Sequence, residues 1–136
     1  MSSLRPVLLA LLFSGLAAST ATATPNKDGF RLETAVDAAT NKVRVAIAVD
    51  PEYHWNTEYP AKVEVKGDLP AGLVVPKRLF KAKDGDIVAT KQTAAVEIPF
   101  QRTQGSGDVA LEAKFSICND RVCLMKTATA RVRLGP

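Results

Sequence analysis

The stretch Lys42-Val-Arg-Val-Ala-Ile-Ala-Val-Asp50 decides the fold class. Val43, Val45, Ile47 and Val49 fall on one face of an extended chain and Lys42, Arg44, Ala46 and Ala48 on the other, the period-two pattern of a half-buried β-strand. The same alternation runs through Lys62-Val-Glu-Val-Lys66 and through Ala94 to Phe100 with Val96 and Ile98. It recurs in Val109 to Ile117, with Leu111, Ala113 and Phe115, and in Leu124 to Leu134, with Ala128, Ala130 and Val132. Weaker strands are expected at Phe30 to Val36, around Leu73 to Val75 and near Ile87 to Thr90. No long segment after residue 23 carries a helical apolar face.

The intervals are turn chemistry. Asp37 to Asn41, Asp50-Pro51, Gly67 to Gly72, Asp84-Gly85-Asp86 and Gln104 to Gly107 supply Gly, Pro, Asp or Asn where the chain must reverse. Seven to eight short strands at this spacing predict an all-β, immunoglobulin-like antiparallel β-sandwich.

Residues 1–23 have a basic position at Arg5, an apolar run from Val7 through Leu12, Phe13 and Leu16, and then Ala21-Thr22-Ala23. This is the pattern of a cleaved signal peptide, with export to the periplasm or beyond the cell. Ser14 and Gly15 interrupt the run, which is short for a bilayer span, so no stable membrane insertion is expected after cleavage. Residues 24–136 suffice for a single β-sandwich domain with a modest core. Without Arg5, 17 of the 18 basic residues remain against 14 acidic ones. That small excess is spread along the chain and lacks the dense stripe that nucleic-acid binding requires. The short cluster Lys77, Arg78, Lys81, Lys83 reads as a solvated loop.

Cys118 and Cys123 are the only cysteines, in Phe115-Ser-Ile-Cys-Asn-Asp-Arg-Val-Cys-Leu-Met125. Exported pairs are normally oxidised. Strand parity places Cys118 with Glu112, Lys114 and Ser116, and Cys123 with Thr127, Thr129, Arg131 and Arg133, so both sulfurs are expected off the core face. If Asn119 to Val122 form a hairpin loop, the cysteines are cross-strand neighbours at its mouth, close enough for a Cys118–Cys123 disulfide. Closing so small a loop stabilises a fold by roughly 2 kcal/mol. The expected bond is exposed, with Arg121 and Lys126 near enough in sequence to favour a thiolate and Asp120 opposing them. From these residues alone, a redox centre and a passive hairpin staple both stand.

The cysteine segment, preceded by Tyr53-His-Trp-Asn56 with Tyr59-Pro60 and followed by a final alternating strand, resembles the N-terminal periplasmic domain of the thiol:disulfide interchange protein DsbD family. The resemblance covers nearly all of residues 24–136, and its specific part is the cysteine segment. Four residues separate the cysteines here where the best-known members have five, and Met125-Lys126 stands where many have prolines. The resemblance implies an immunoglobulin-like electron-transfer domain, a thiol:disulfide oxidoreductase whose pair, Cys118 and Cys123, takes electrons from a thioredoxin-like partner. It passes them to other periplasmic thiol proteins, including disulfide isomerases and cytochrome c maturation factors. The chain ends at Pro136, so the expected donor is a separate protein. The order of attack by the two cysteines is open. The family shields its pair with an aromatic cap; Phe80 in Leu79-Phe-Lys81 is the candidate, with an ordinary core ring as the alternative. Tyr53 and Trp55 are candidate partner contacts beside the hairpin, or mark a strand start with one ring in the core.

The alternative function is a non-catalytic exported sandwich that binds a partner protein, braced by its disulfide. No cofactor is expected. His54, the sole histidine, and two cysteines make three soft ligands, short of the four of a closed zinc site. No serine has the surroundings of a hydrolase nucleophile.

Overall fold

The computed structural model describes residues 28–103 and 105–135; the expected signal segment lies outside them. Eleven strands follow in order: β1 (Phe30–Asp37), β2 (Lys42–Val49), β3 (His54–Trp55), β4 (Lys62–Lys66), β5 (Leu73–Val74), β6 (Leu79–Lys81), β7 (Val88–Ala89), β8 (Thr93–Pro99), β9 (Gln101–Arg102), β10 (Gly107–Cys118) and β11 (Cys123–Leu134). A 3-10 turn, Ala82–Asp84, follows β6. The expected count of seven to eight rises to eleven because β3, β6 and β9 are two or three residues long, too short to show a period.

One sheet has the order β1-β2-β8-β7 and the other β11-β10-β4-β6, with β3 added beside β10. These are the ABED and GFC orders of an immunoglobulin sandwich with one further strand on the second sheet. β5 and β9 form a separate two-stranded ribbon, whose Leu73 is buried in the core. The alternating apolar residues do meet between the layers: Val43, Val45, Ile47, Val96 and Ile98 from one sheet face Val63, Val65, Leu111, Ala113, Phe115 and Ile117 from the other, all buried. Each such side chain contributes about 1.5–3 kcal/mol by leaving water, the smaller alanine less.

Turn residues set the register. Asp37 Oδ1 accepts hydrogen bonds from the Ala39 and Thr40 N–H groups at 3.0 and 3.3 Å, and Asn41 takes the left-handed conformation, φ 53°, that closes the β1–β2 hairpin. The hydrogen bonds from Thr40 hold the Asp37 carboxyl below its ordinary range. Among the described residues no helix is long and apolar enough to cross a membrane.

Candidate functional site

β10 and β11 pair residue for residue from Gly107 opposite Leu134 to Cys118 opposite Cys123. At the tip the Asn119 N–H donates to the Val122 carbonyl at 2.9 Å, and Asn119 Oδ1 accepts from the N–H groups of Arg121 and Val122 at 2.9 and 2.8 Å. Asn119 thus turns the chain with its own side chain. Because Asn119 and Val122 are the hydrogen-bonded pair, the next pair outward is the non-hydrogen-bonded one, where opposed side chains come closest. That pair is Cys118 and Cys123, with Cα atoms 4.0 Å apart and their sulfurs bonded.

Both cysteines lie off the core face, as parity requires, yet they are not equally open. Cys123 is exposed; Cys118 is buried, at 6% of its full exposure. The expectation of two open sulfurs is corrected here, and the reason is β3. β11 is the last strand of its sheet, whereas β10 is flanked on its other side by β3, which sets His54 opposite Cys118 and Trp55 opposite Ile117. Cys118 therefore sits in a row of three, His54–Cys118–Cys123, and occupies its middle.

The next row inward is Asn56–Ser116–Met125. The Asn56 N–H donates to the Ser116 carbonyl at 2.9 Å, and Asn56 Nδ2 reaches Ser116 Oγ at 3.4 Å, so the buried hydroxyl has a partner. Met125, opposite Ser116 and on the same face as Cys123, is 77% exposed. Beyond Asn56 the ladder is interrupted. β10 runs two residues from Ser116 to Lys114 while the other segment runs six, from Asn56 to Lys62, so that the five residues 57–61 stand where β10 has Phe115 alone, an excess of four. On the other side of the hairpin tip, Tyr53, His54, Lys91, Gln92, Asn119 and Asp120 line an open polar cleft of about 440 Å3.

The expected site residues divide between two places. Trp55 is a core residue, stacked on Phe115 with ring centroids 5.3 Å apart, and Phe115 meets Phe30 edge-on at 4.9 Å. These rings form the floor beneath Ile117 and hold the end of β10 in place. Tyr53 is half-buried beside Ile117 and Gly29 and also lines the cleft, so of the expected contact residues it is the one that faces the open cleft beside the hairpin tip. Phe80 is not over the cysteines. It is 4% exposed, opposite Val63 on the core face of the sheet, with Lys77 Nζ 5.2 Å from its ring centre. Lys126 stands opposite Phe115, on the parity opposite to Cys123, and so does not flank the sulfurs; Arg121 and Asp120 are exposed in the turn. No group of three or more metal-ligating side chains occurs among the described residues.

The sequence reading missed the roles of His54 as cross-strand neighbour, Asn56 with Ser116, and Met125. Met125 was visible in principle, since it shares the parity of Cys123. The others depend on β3, two residues long. Compared with known proteins, the chain matches no family model, no curated protein and no solved structure.

Proposed function

We propose that this chain is an exported thiol:disulfide exchange domain, similar to the N-terminal domain of the DsbD family, that carries electron pairs between a thioredoxin-like donor and other periplasmic thiol proteins. The observation that carries this reading is the unequal exposure of one disulfide: an open Cys123 on an edge strand, bonded to a sheltered Cys118. An attacking thiolate needs access to one sulfur only, along the S–S axis, and the other sulfur must leave.

A donor thiolate attacks Cys123 Sγ. A new disulfide forms between donor and Cys123, the Cys118–Cys123 bond breaks, and Cys118 departs as thiolate. The donor's second thiolate then attacks the donor sulfur of the mixed disulfide, releasing Cys123 as thiolate and leaving the donor oxidised. The pair now holds two electrons, and the reverse sequence delivers them to an acceptor disulfide. The exposed Met125 and the cleft at Tyr53 and His54 flank the point of entry on two sides and offer a partner apolar and polar contacts.

As a brace, the bond adds little. Residues 107–118 are already paired with 123–134 through an unbroken ladder, and a loop this small stabilises by only about 2 kcal/mol. The test is the equilibrium potential of the pair against a glutathione series. A value above about −300 mV is expected for a working pair; one well below it marks a permanent staple.

A further inference from the structure

On the outer face of the β11-β10-β4-β6 sheet, Lys114, Lys62 and Lys81 stand directly opposite one another on three adjacent strands, each half-buried. Like charges in opposed cross-strand positions repel and weaken a sheet, so such a row is unfavourable in the isolated fold. Lys83, from the 3-10 turn after β6, joins them, and these four with Tyr59 and Pro60 line an open cleft of about 400 Å3. Lys114 lies 3.7 Å from Glu112. Lys62, Lys81 and Lys83 make no ion pair among the described residues.

The basic cluster of the sequence separates into two parts in the fold. Lys77 is held by Asp86 at 2.7 Å, and Arg78 donates to the carbonyls of Val65 and Gly67. Asp86 also accepts the Lys81 N–H at 3.0 Å, which fixes the turn carrying Lys83. Lys81 and Lys83 are left facing the cleft, where Lys62 and Lys114 meet them. The cleft opens on the same face as the cysteines, because Lys114, Ser116 and Cys118 are alternate residues of one strand. Four steps of extended chain carry Lys114 about 13 Å from Cys118 along the strand.

We propose that the cleft of Lys62, Lys81, Lys83 and Lys114 receives an acidic segment of the protein that exchanges with Cys123, presenting carboxylates about 14–19 Å from its reactive sulfur, since the lysines lie one to three strands across from β11. This rests on the exchange reading above. Charge complementarity selects carboxylates, and the neighbouring row selects a segment over a broad anionic surface. Glu112 and Glu64 stand opposed in that row on the same face, and a bilayer or a nucleic acid laid across the lysines would press its phosphates against them.

The test uses the full oxidised chain and two synthetic peptides, each with one cysteine followed about four residues later by a run of glutamates or of glutamines. Mercaptoethanol serves as a neutral thiol. The glutamate peptide is expected to open the disulfide about tenfold faster than the glutamine peptide at low ionic strength, an advantage abolished at about 0.5 M salt. The combined Lys62→Gln, Lys81→Gln, Lys83→Gln variant loses the advantage while keeping its rate with mercaptoethanol. Equal rates for the two peptides, with mercaptoethanol reacting normally, overturn the cleft and leave the exchange reading standing. A disulfide that resists every thiol overturns the exchange reading and, with it, the role of the cleft in exchange. Titration of a cysteine-free glutamate peptide gives an independent readout: amide shifts centred on Lys62, Lys81 and Lys114 are expected. Shifts elsewhere, or tighter association with phosphatidylglycerol vesicles, overturn the site whatever the thiol rates.

Discussion

His54 lies directly opposite Cys118 across the β3–β10 ladder, and that pairing divides one disulfide into a sheltered and an open half. Without β3, β10 would end as a free edge beside β11 and both sulfurs would face solvent. With it, only Cys123 keeps an unpaired side. The chemistry expected of the pair follows from this difference in access, since thiol exchange depends on reach as well as on thiolate fraction.

Single-cysteine variants read that difference directly. In Cys118→Ser the remaining Cys123 is expected to react with an aromatic disulfide reagent at least about tenfold faster than Cys118 does in Cys123→Ser. Comparable rates would mean that β3 does not shelter Cys118 in solution.

Phe80 gives the opposite expectation from a cap. Its ring is enclosed in the core against Val63, so Phe80→Ala is expected to cost about 3–5 kcal/mol in urea unfolding. The exchange rate of the folded fraction should not move. A changed rate with little loss of stability would return Phe80 to the site.

Gly29 holds the floor of the site closed. It has φ +80°, and a Cβ there would lie 2.9 Å from Ile117 Cδ1 and 3.1 Å from the Tyr53 ring. Gly29→Ala should therefore destabilise the protein by about 1–3 kcal/mol, from strain and overpacking together. Ile117 adjoins Cys118, so faster amide exchange at the end of β10 is also expected; an unchanged melting curve and unchanged amide protection would contradict this packing.

The pH dependence of stability has a definite sign at Asp86. Its carboxyl is held below the ordinary value of 3.8 first by the hydrogen bond from Lys77 and then by the Lys81 N–H. A lowered folded value means that its contribution is complete above 3.8 and is lost as pH falls through the folded value. The difference in melting temperature between the parent and Asp86→Asn should be largest above about pH 5 and shrink in acid. A difference that stays constant down to about pH 2 would contradict it.

Much of the fold was legible because it is local. Alternation in Lys42 to Asp50, Lys62 to Lys66, Ala94 to Phe100, Val109 to Ile117 and Leu124 to Leu134 marks the strands that make the two layers, and it fixes the face on which each cysteine lies. What stayed hidden depends on pairings between distant residues. His54 and Trp55 have no period to reveal β3, and only the setting of residues 57–61 against Phe115 alone brings Lys62 opposite Lys114. Phe80 could be read as a cap over the cysteines or as an ordinary core or loop ring, since a strand as short as Leu79–Lys81 shows no period to decide between them. Lys126 was legible by the same alternation, which turns it to the face opposite Cys123; nearness in sequence alone had set it beside the sulfurs.

The most direct test is to react the oxidised protein with a thiol peptide, quench in acid before the second exchange, and map the mixed disulfide by mass spectrometry. The expected product carries the peptide on Cys123 and a free thiol at Cys118. A peptide found on Cys118, or no mixed disulfide under conditions where small thiols reduce ordinary exposed disulfides, would contradict the open-and-sheltered pair on which the proposed function rests.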